Sequence, residues 1–248
     1  MISDEHEEDL AVSNFRRKFK LESINPANYN RPTTIFWWLL LLTNFLFLGA
    51  AAYWTLSFSA TQFGILFIAL VISSLASQHQ LTIPRTKITL TAKEVVVFWG
   101  ILWLGIAGGV LLAAAVSAVQ VFSLPENKWK DERQRLLGGF VDTIAAFAAG
   151  SVFFLILKFF SGFEGSTVVE HSLAFGWLAA ATAAMAIVHY LFSALPPSIF
   201  FYLANRSSII DFWRETFVSS AAKYCFAAVA ALLFNYCLLY TSPSPRDS

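Results

Sequence analysis

Uninterrupted apolar runs, not an alternation of apolar and polar positions, set the pattern of this chain. Between Arg31 and Arg85 there is no Asp, Glu, Lys or Arg, and further uncharged runs fill 95–125 and 172–205. A hydrocarbon core about 30 Å thick takes about 20 apolar residues of helix, so the first run alone holds two crossings. Within lipid a spanning segment must satisfy its own peptide groups, which makes each such run a helix.

The first predicted crossing is 34–57, opening after Pro32 with Trp37 and Trp38 where an interfacial aromatic belt belongs. A linker at 58–62 turns the chain into the second, 63–77. Residues 81–91 alternate β-branched and polar side chains around Pro84 and read as an extended connector carrying Arg85 and Lys87. The run 95–125 is long for one crossing and short for two. With Gly105, Gly108 and Gly109 at its middle it reads as a tight helical hairpin, which also returns Lys128, Lys130, Arg133 and Arg135 to the cytoplasmic side. The spacing of Gly105 and Gly109 is equally that of a helix-packing notch.

A fifth crossing follows at 136–160, with Ala145, Ala146, Ala149 and Gly150 forming a small-residue face for close helix approach. The stretch 172–205, carrying His189 and Pro196-Pro197, is either a second short hairpin or one kinked helix. Residues 207–216 suit a short interfacial helix and 217–239 a last crossing. The expected fold class is an all-α polytopic transmembrane bundle of about eight membrane segments. It comprises a cytoplasmic polar and basic tail (1–33), a helical domain (34–239) and a terminal stretch (240–248), whose sudden change of composition reads as a truncated or artefactual end.

Composition agrees: 57% of the 248 residues are hydrophobic and 13% charged, where soluble domains carry roughly 25% charged residues. The net charge of +1 gives no basic field for nucleic acid. No secretory h-region opens the chain, so the first crossing must direct its own insertion. The acidic Asp4–Asp9 stretch and the basic Phe15–Lys20 stretch after it fit either a leaflet-binding tail or a solvated one. Cys225 and Cys237 lie too far apart on one helix for a disulfide and read as inert buried thiols.

Ionisable residues inside a membrane are functional hypotheses by default. Glu94, Asp142 and His189 are the candidates for ligand binding or sensing, and Gly105, Gly109 and Gly150 for helix packing. Structural readings stand beside these: Glu94 as a helix-dipole charge and Asp142 as a headgroup-level carboxylate. The four histidines (His6, His79, His171, His189) have no metal-site spacing, so no metal and no cofactor is expected. Phosphate-loop and nucleophile-elbow signatures are absent as well, and no catalytic role is assigned.

Several stretches occur in a telling order: Thr89-Leu-Thr-Ala-Lys-Glu-Val-Val-Val-Phe-Trp-Gly100, the Gly105–Ala115 run, a basic loop entering Arg135-Leu-Leu, Val188-His-Tyr-Leu-Phe192 and Phe212-Trp-Arg-Glu-Thr-Phe217. Together they resemble the N-terminal multi-helix membrane region of bacterial cyclic-di-GMP signalling proteins, those ending in a GGDEF cyclase or HD-GYP phosphodiesterase domain. Ser193 stands where such regions often carry Asn, and Pro196-Pro197 departs from their pattern. Neither catalytic signature is present. The resemblance implies a sensory or anchoring input module in the bacterial inner membrane, with cytoplasmic termini, an even number of crossings and an output domain outside this chain. Its expected partners are the lipid bilayer, that output domain and optionally a second copy in a homodimer, with no nucleic acid. The competing expectations are the substrate-binding component of a vitamin-like uptake system and a structural scaffold.

Overall fold

A computed structural model of the chain describes residues 30–76, 80–82, 89–91, 93–123, 132–162, 165, 175–205, 208–216 and 221–241. Their order is α1 (Arg31–Thr55), α2 (Ala60–Ala76), β1 (Gln80–Thr82), β2 (Thr89–Thr91), α3 (Lys93–Ser123), α4 (Glu132–Ser161), α5 (Phe175–Asn205), α6 (Ile209–Thr216) and α7 (Ala221–Thr241). The expected extended connector contains the two strands, paired antiparallel with Leu81 opposite Leu90. The acidic and basic tail, His6, His79, His171, the charges between Lys128 and Asp131, Glu164, Glu170 and the terminal stretch after Thr241 lie outside the described residues.

The bundle is apolar outside and close-packed with small residues inside. On α1, Ile35, Leu42, Phe45 and Tyr53 are each more than half exposed, as are Phe67, Ile68 and Leu75 on α2. Ala145, Ala146 and Ala149 on α4 are fully buried. Such continuous apolar surface is a liability in water and ordinary in lipid. Interior hydroxyls are hidden on their own helices, Ser73 donating to Ala69, Thr182 to Leu178 and Ser198 to Ala194. Four stretches are long and apolar enough to cross a membrane: Arg31–Thr55, Lys93–Val119, Leu136–Phe160 and Phe175–Ala204; Ala60–Leu75 and Ala221–Cys237 are shorter. The chain is a helical membrane protein.

One of these four is not a single rod. Gly105 has φ 72° and ψ −170° inside α3, a conformation essentially confined to glycine. There the chain folds back. A Cβ placed on Gly100 would lie 3.7 Å from the Cα of Gly109 and collide with Leu112, and one on Gly109 would collide with Ile101. In a straight helix, residues 100 and 112 stand about 18 Å apart. α3 is therefore a hairpin of two arms, 93–104 and 106–123, in contact along their length. The first arm is only about 18 Å long at 1.5 Å per residue, short of a bilayer core.

Ring contacts fix the directions of the rods. Trp37 meets Phe140 and Phe47 stacks on Phe147, so α1 and α4 run parallel. Phe160 stacks on Trp177 while Phe200 packs with Leu137, Val141 and Ile144, so α5 runs back along α4. Trp103 Nε1 donates to Asn235 Oδ1 and Lys223 pairs with Glu94, so α7 runs beside the first arm in its direction. One end of the bundle, the base, gathers Arg31, Lys93, Phe200 and Lys223. The other, the apex, gathers Trp54, Gly105, Phe160 and Tyr236.

Three expectations need correction. The eight segments are not supported, because 172–205 contains one helix, α5, whose described part is continuous through Pro196-Pro197. Both prolines lack an N–H, yet the backbone runs on and tolerates the missing rungs inside the bundle. As a result the first residue of α1 and the last of α7 stand at opposite ends of the bundle instead of together. Finally, Cys225 and Cys237 are exposed, not buried, since they lie on the outward side of α7 while Tyr224, Ala227, Ala228 and Ala231 turn inward.

Candidate functional site

The hairpin brings its two feet together at the base. Lys93 opens the first arm and Ser117 sits low on the second, and both reach Asp142 on α4. Lys93 Nζ donates to Asp142 Oδ2 at 2.6 Å and Ser117 Oγ donates to the same oxygen at 2.9 Å. The side chains of Lys93 and Asp142 are each 17% exposed, which leaves a narrow route to solvent. Beside them Glu94, 1% exposed, forms an ion pair with Lys223 of α7 at 3.3 Å. Lys223 Nζ also lies 4.8 Å from the ring centre of Tyr224, within cation–π range.

His189 on α5 completes the cluster. Its ring is 2% exposed and packs between Phe98 of the first arm, 5.2 Å away in an edge-on contact, and Tyr224 of α7 at 5.4 Å. The Nδ1 edge lies 3.3 Å from Ser193 Oγ one turn on, while Nε2 has no hydrogen-bond partner among the described residues. A cavity of about 10 Å³ lies within the cluster, lined among others by Lys93, Glu94, Ser117, Asp142 and His189. Thus α3, α4, α5 and α7 each contribute a polar group to one buried site.

The three candidate residues named from sequence come together here. Glu94 is drawn into the interior by Lys223 rather than left as an exposed end charge, and Asp142 faces the hairpin rather than headgroups. Lys93, Ser117, Lys223 and Tyr224 also belong to the site and were not singled out from sequence, and Ser193, noted there only as a departure from the resembled pattern, joins them. A signal existed for two of them, since Lys93 and Lys223 are among the few cations within or beside the apolar runs. Of the glycines, Gly105 is the turn of the hairpin and Gly109 lies against Ile101 of the first arm. Gly150 admits the turn, a Cβ there coming within 3.6 Å of the Ile106 Cα. Among the described residues no three His, Cys, Asp or Glu side chains converge in a metal-binding arrangement.

At the apex a second cavity of about 420 Å³ is lined by Trp54, Phe58, Gln62, Gly105, Ile106 and Phe154, among others. It exists because the short hairpin stops level with Phe154, about 10 Å below the end of α4 at 1.5 Å per residue. Its described lining carries no charge.

Fold and site together define a helical membrane protein whose folded-back hairpin is fastened by buried ion pairs. No protein-family model matches this chain, and no curated protein or solved structure shows significant similarity to it.

Proposed function

We propose that this chain is the membrane-embedded sensory module of a bacterial signalling protein, acting on a cytoplasmic output that turns over cyclic-di-GMP. The observation that carries the reading is the basal ionic cluster, which ties both feet of the hairpin to α4 through Asp142 and to α7 through Glu94 and Lys223. Buried ion pairs rarely add much net stability, and their best-attested use is to fix a register or a switch. The sequence resemblance described above supplies the signalling context. Because α3 and α4 both start at the base, directly after the basic stretches around Arg85 and Lys128 in the sequence, positive-inside counting favours a cytoplasmic base. Output is then read at the base, where Trp213 of α6 packs on Tyr190 and Tyr190 on Tyr224 beside His189.

The apical cavity favours a second reading, the solute-binding component of an uptake system, since about 420 Å³ lies within the range of small-molecule sites. Mild-detergent co-purification from the native host separates the two. A cyclase or phosphodiesterase partner is the expected outcome. A tightly retained metabolite together with an ATP-hydrolysing partner would replace the first reading with the second.

A further inference from the structure

Three buried features stand apart from ordinary packing: the apical cavity, the Trp103–Asn235 pair with Asn235 Nδ2 unpartnered, and the unpartnered nitrogen of His189. The last is surrounded by the most chemistry. A neutral imidazole has one donor and one acceptor nitrogen, and leaving one of them buried without a partner forfeits a hydrogen bond that water would otherwise supply. The ring lines a cavity of about 10 Å³, at the lower limit for one water molecule, which also needs two to four polar partners. Lys93, Glu94, Ser117 and Asp142 line the same cavity and supply them. Nothing larger than a water fits.

We infer that this cavity is a water-and-proton site: one water bridges His189 Nε2 to the carboxylate cluster and delivers a proton to it, loosening the foot of the hairpin. Use of the site as a stimulus rests on the sensory reading above, whereas the site itself does not. Among the described residues, polar and titratable groups face His189 from every helix packed on it. They are Lys93, Glu94 and Ser117 from the hairpin, Asp142 from α4, Ser193 on its own helix, and Lys223 with Tyr224 from α7. With His189 neutral, two ammonium groups balance two carboxylates.

A hydronium entering along the partly exposed Lys93–Asp142 edge gives its proton to the cavity water. That water releases one of its own to Nε2, so an O–H bond breaks, an N–H bond forms and the imidazole becomes an imidazolium. The net change is one added proton and one added positive charge. Three cations then share two carboxylates, and the new one competes with Lys93 for Asp142. The first arm loses part of its tether to α4 and moves relative to it. A proton can act this way only because it favours the loosened arrangement over the fastened one.

The experiment uses the full chain in lipid nanodiscs. Replacing His6, His79 and His171 by Gln leaves His189 as the sole imidazole, so nitrogen-15 histidine NMR reads its Nε2 directly. A spin-label pair on the outward faces of the first arm and α4 reads the hairpin foot by electron–electron distance. Between about pH 4 and 8, a range that brackets the pH 5–8 window in which an ordinary histidine changes charge, the Nε2 signal and the distance should move together, with H189Q flattening the distance curve. A His189 signal that stays put across the window overturns the site. A signal that titrates while the distance stays fixed overturns the loosening, yet leaves the sensory reading to the co-purification test. Should H189Q fail to fold, the histidine-reduced protein still decides both points.

Discussion

Lys93 and Ser117 stand at the two feet of the hairpin and donate to the same oxygen of Asp142. On a straight helix they would be about 36 Å apart. Their meeting means that one carboxylate on α4 closes the open end of α3, while Gly105 closes the other.

Replacing Asp142 with Asn should therefore cost more than a surface change. It leaves the Lys93 ammonium partly buried without its carboxylate, and breaking a buried pair typically costs about 3–5 kcal/mol, with the lower end fitting a pair that retains some exposure. Unfolding titration in mixed micelles measures this. Lys93→Met combined with Asp142→Leu should recover most of the loss, and a double variant as unstable as D142N would contradict the ion-pair account.

The hairpin itself is open to a direct check. Val97 and Ala113 line the same small cavity but would be about 24 Å apart along a straight helix. In a background lacking Cys225 and Cys237, V97C/A113C should be bridged by a short bifunctional thiol reagent. Absence of bridging would restore a single crossing.

Gly105→Ala should destabilise the protein by about 1–3 kcal/mol, the strain of a side chain at a backbone conformation that only glycine visits freely. Gly138→Ala, where an added Cβ meets nothing within 4 Å, is the matched control and should be near neutral. Equal melting temperatures for the two variants would remove the strained turn.

The directions of the rods predict sidedness. Single cysteines at Asn30 and Ser208 should react with a membrane-impermeant reagent from one face, and those at Ser59, Gly162 and Thr241 from the other. Labelling of Thr241 from the Asn30 face would reinstate an even number of crossings.

Much of this architecture is legible in the amino-acid order, for a physical reason. Lipid forbids unpaired peptide groups, so an uncharged run becomes a helix whatever its propensity, and the glycines at 105, 108 and 109 mark where such a run folds. What the sequence leaves open is which side of a helix turns inward. The segment 172–205 is consistent with a break at Pro196-Pro197, yet its described part runs through them as one helix packed along α4. Likewise Glu94 reads as an end charge until α7 brings Lys223 to it from far along the chain. A pairing between distant segments leaves no local signature, which is why Ser117 emerges only from the fold, and why Lys93 and Lys223 stand out in the sequence as cations beside apolar runs without showing what they pair with.

The paired prolines of α5 carry a mechanical consequence. Lacking amide hydrogens at 196 and 197, the helix cannot complete the rungs that would accept at Phe192 and Ser193. The weakened stretch begins beside the hydroxyl that contacts His189. Torque applied to the basal third of α5 would thus bend the rod at a built-in joint and turn the imidazole with it, giving the bundle a pivot that needs no loop.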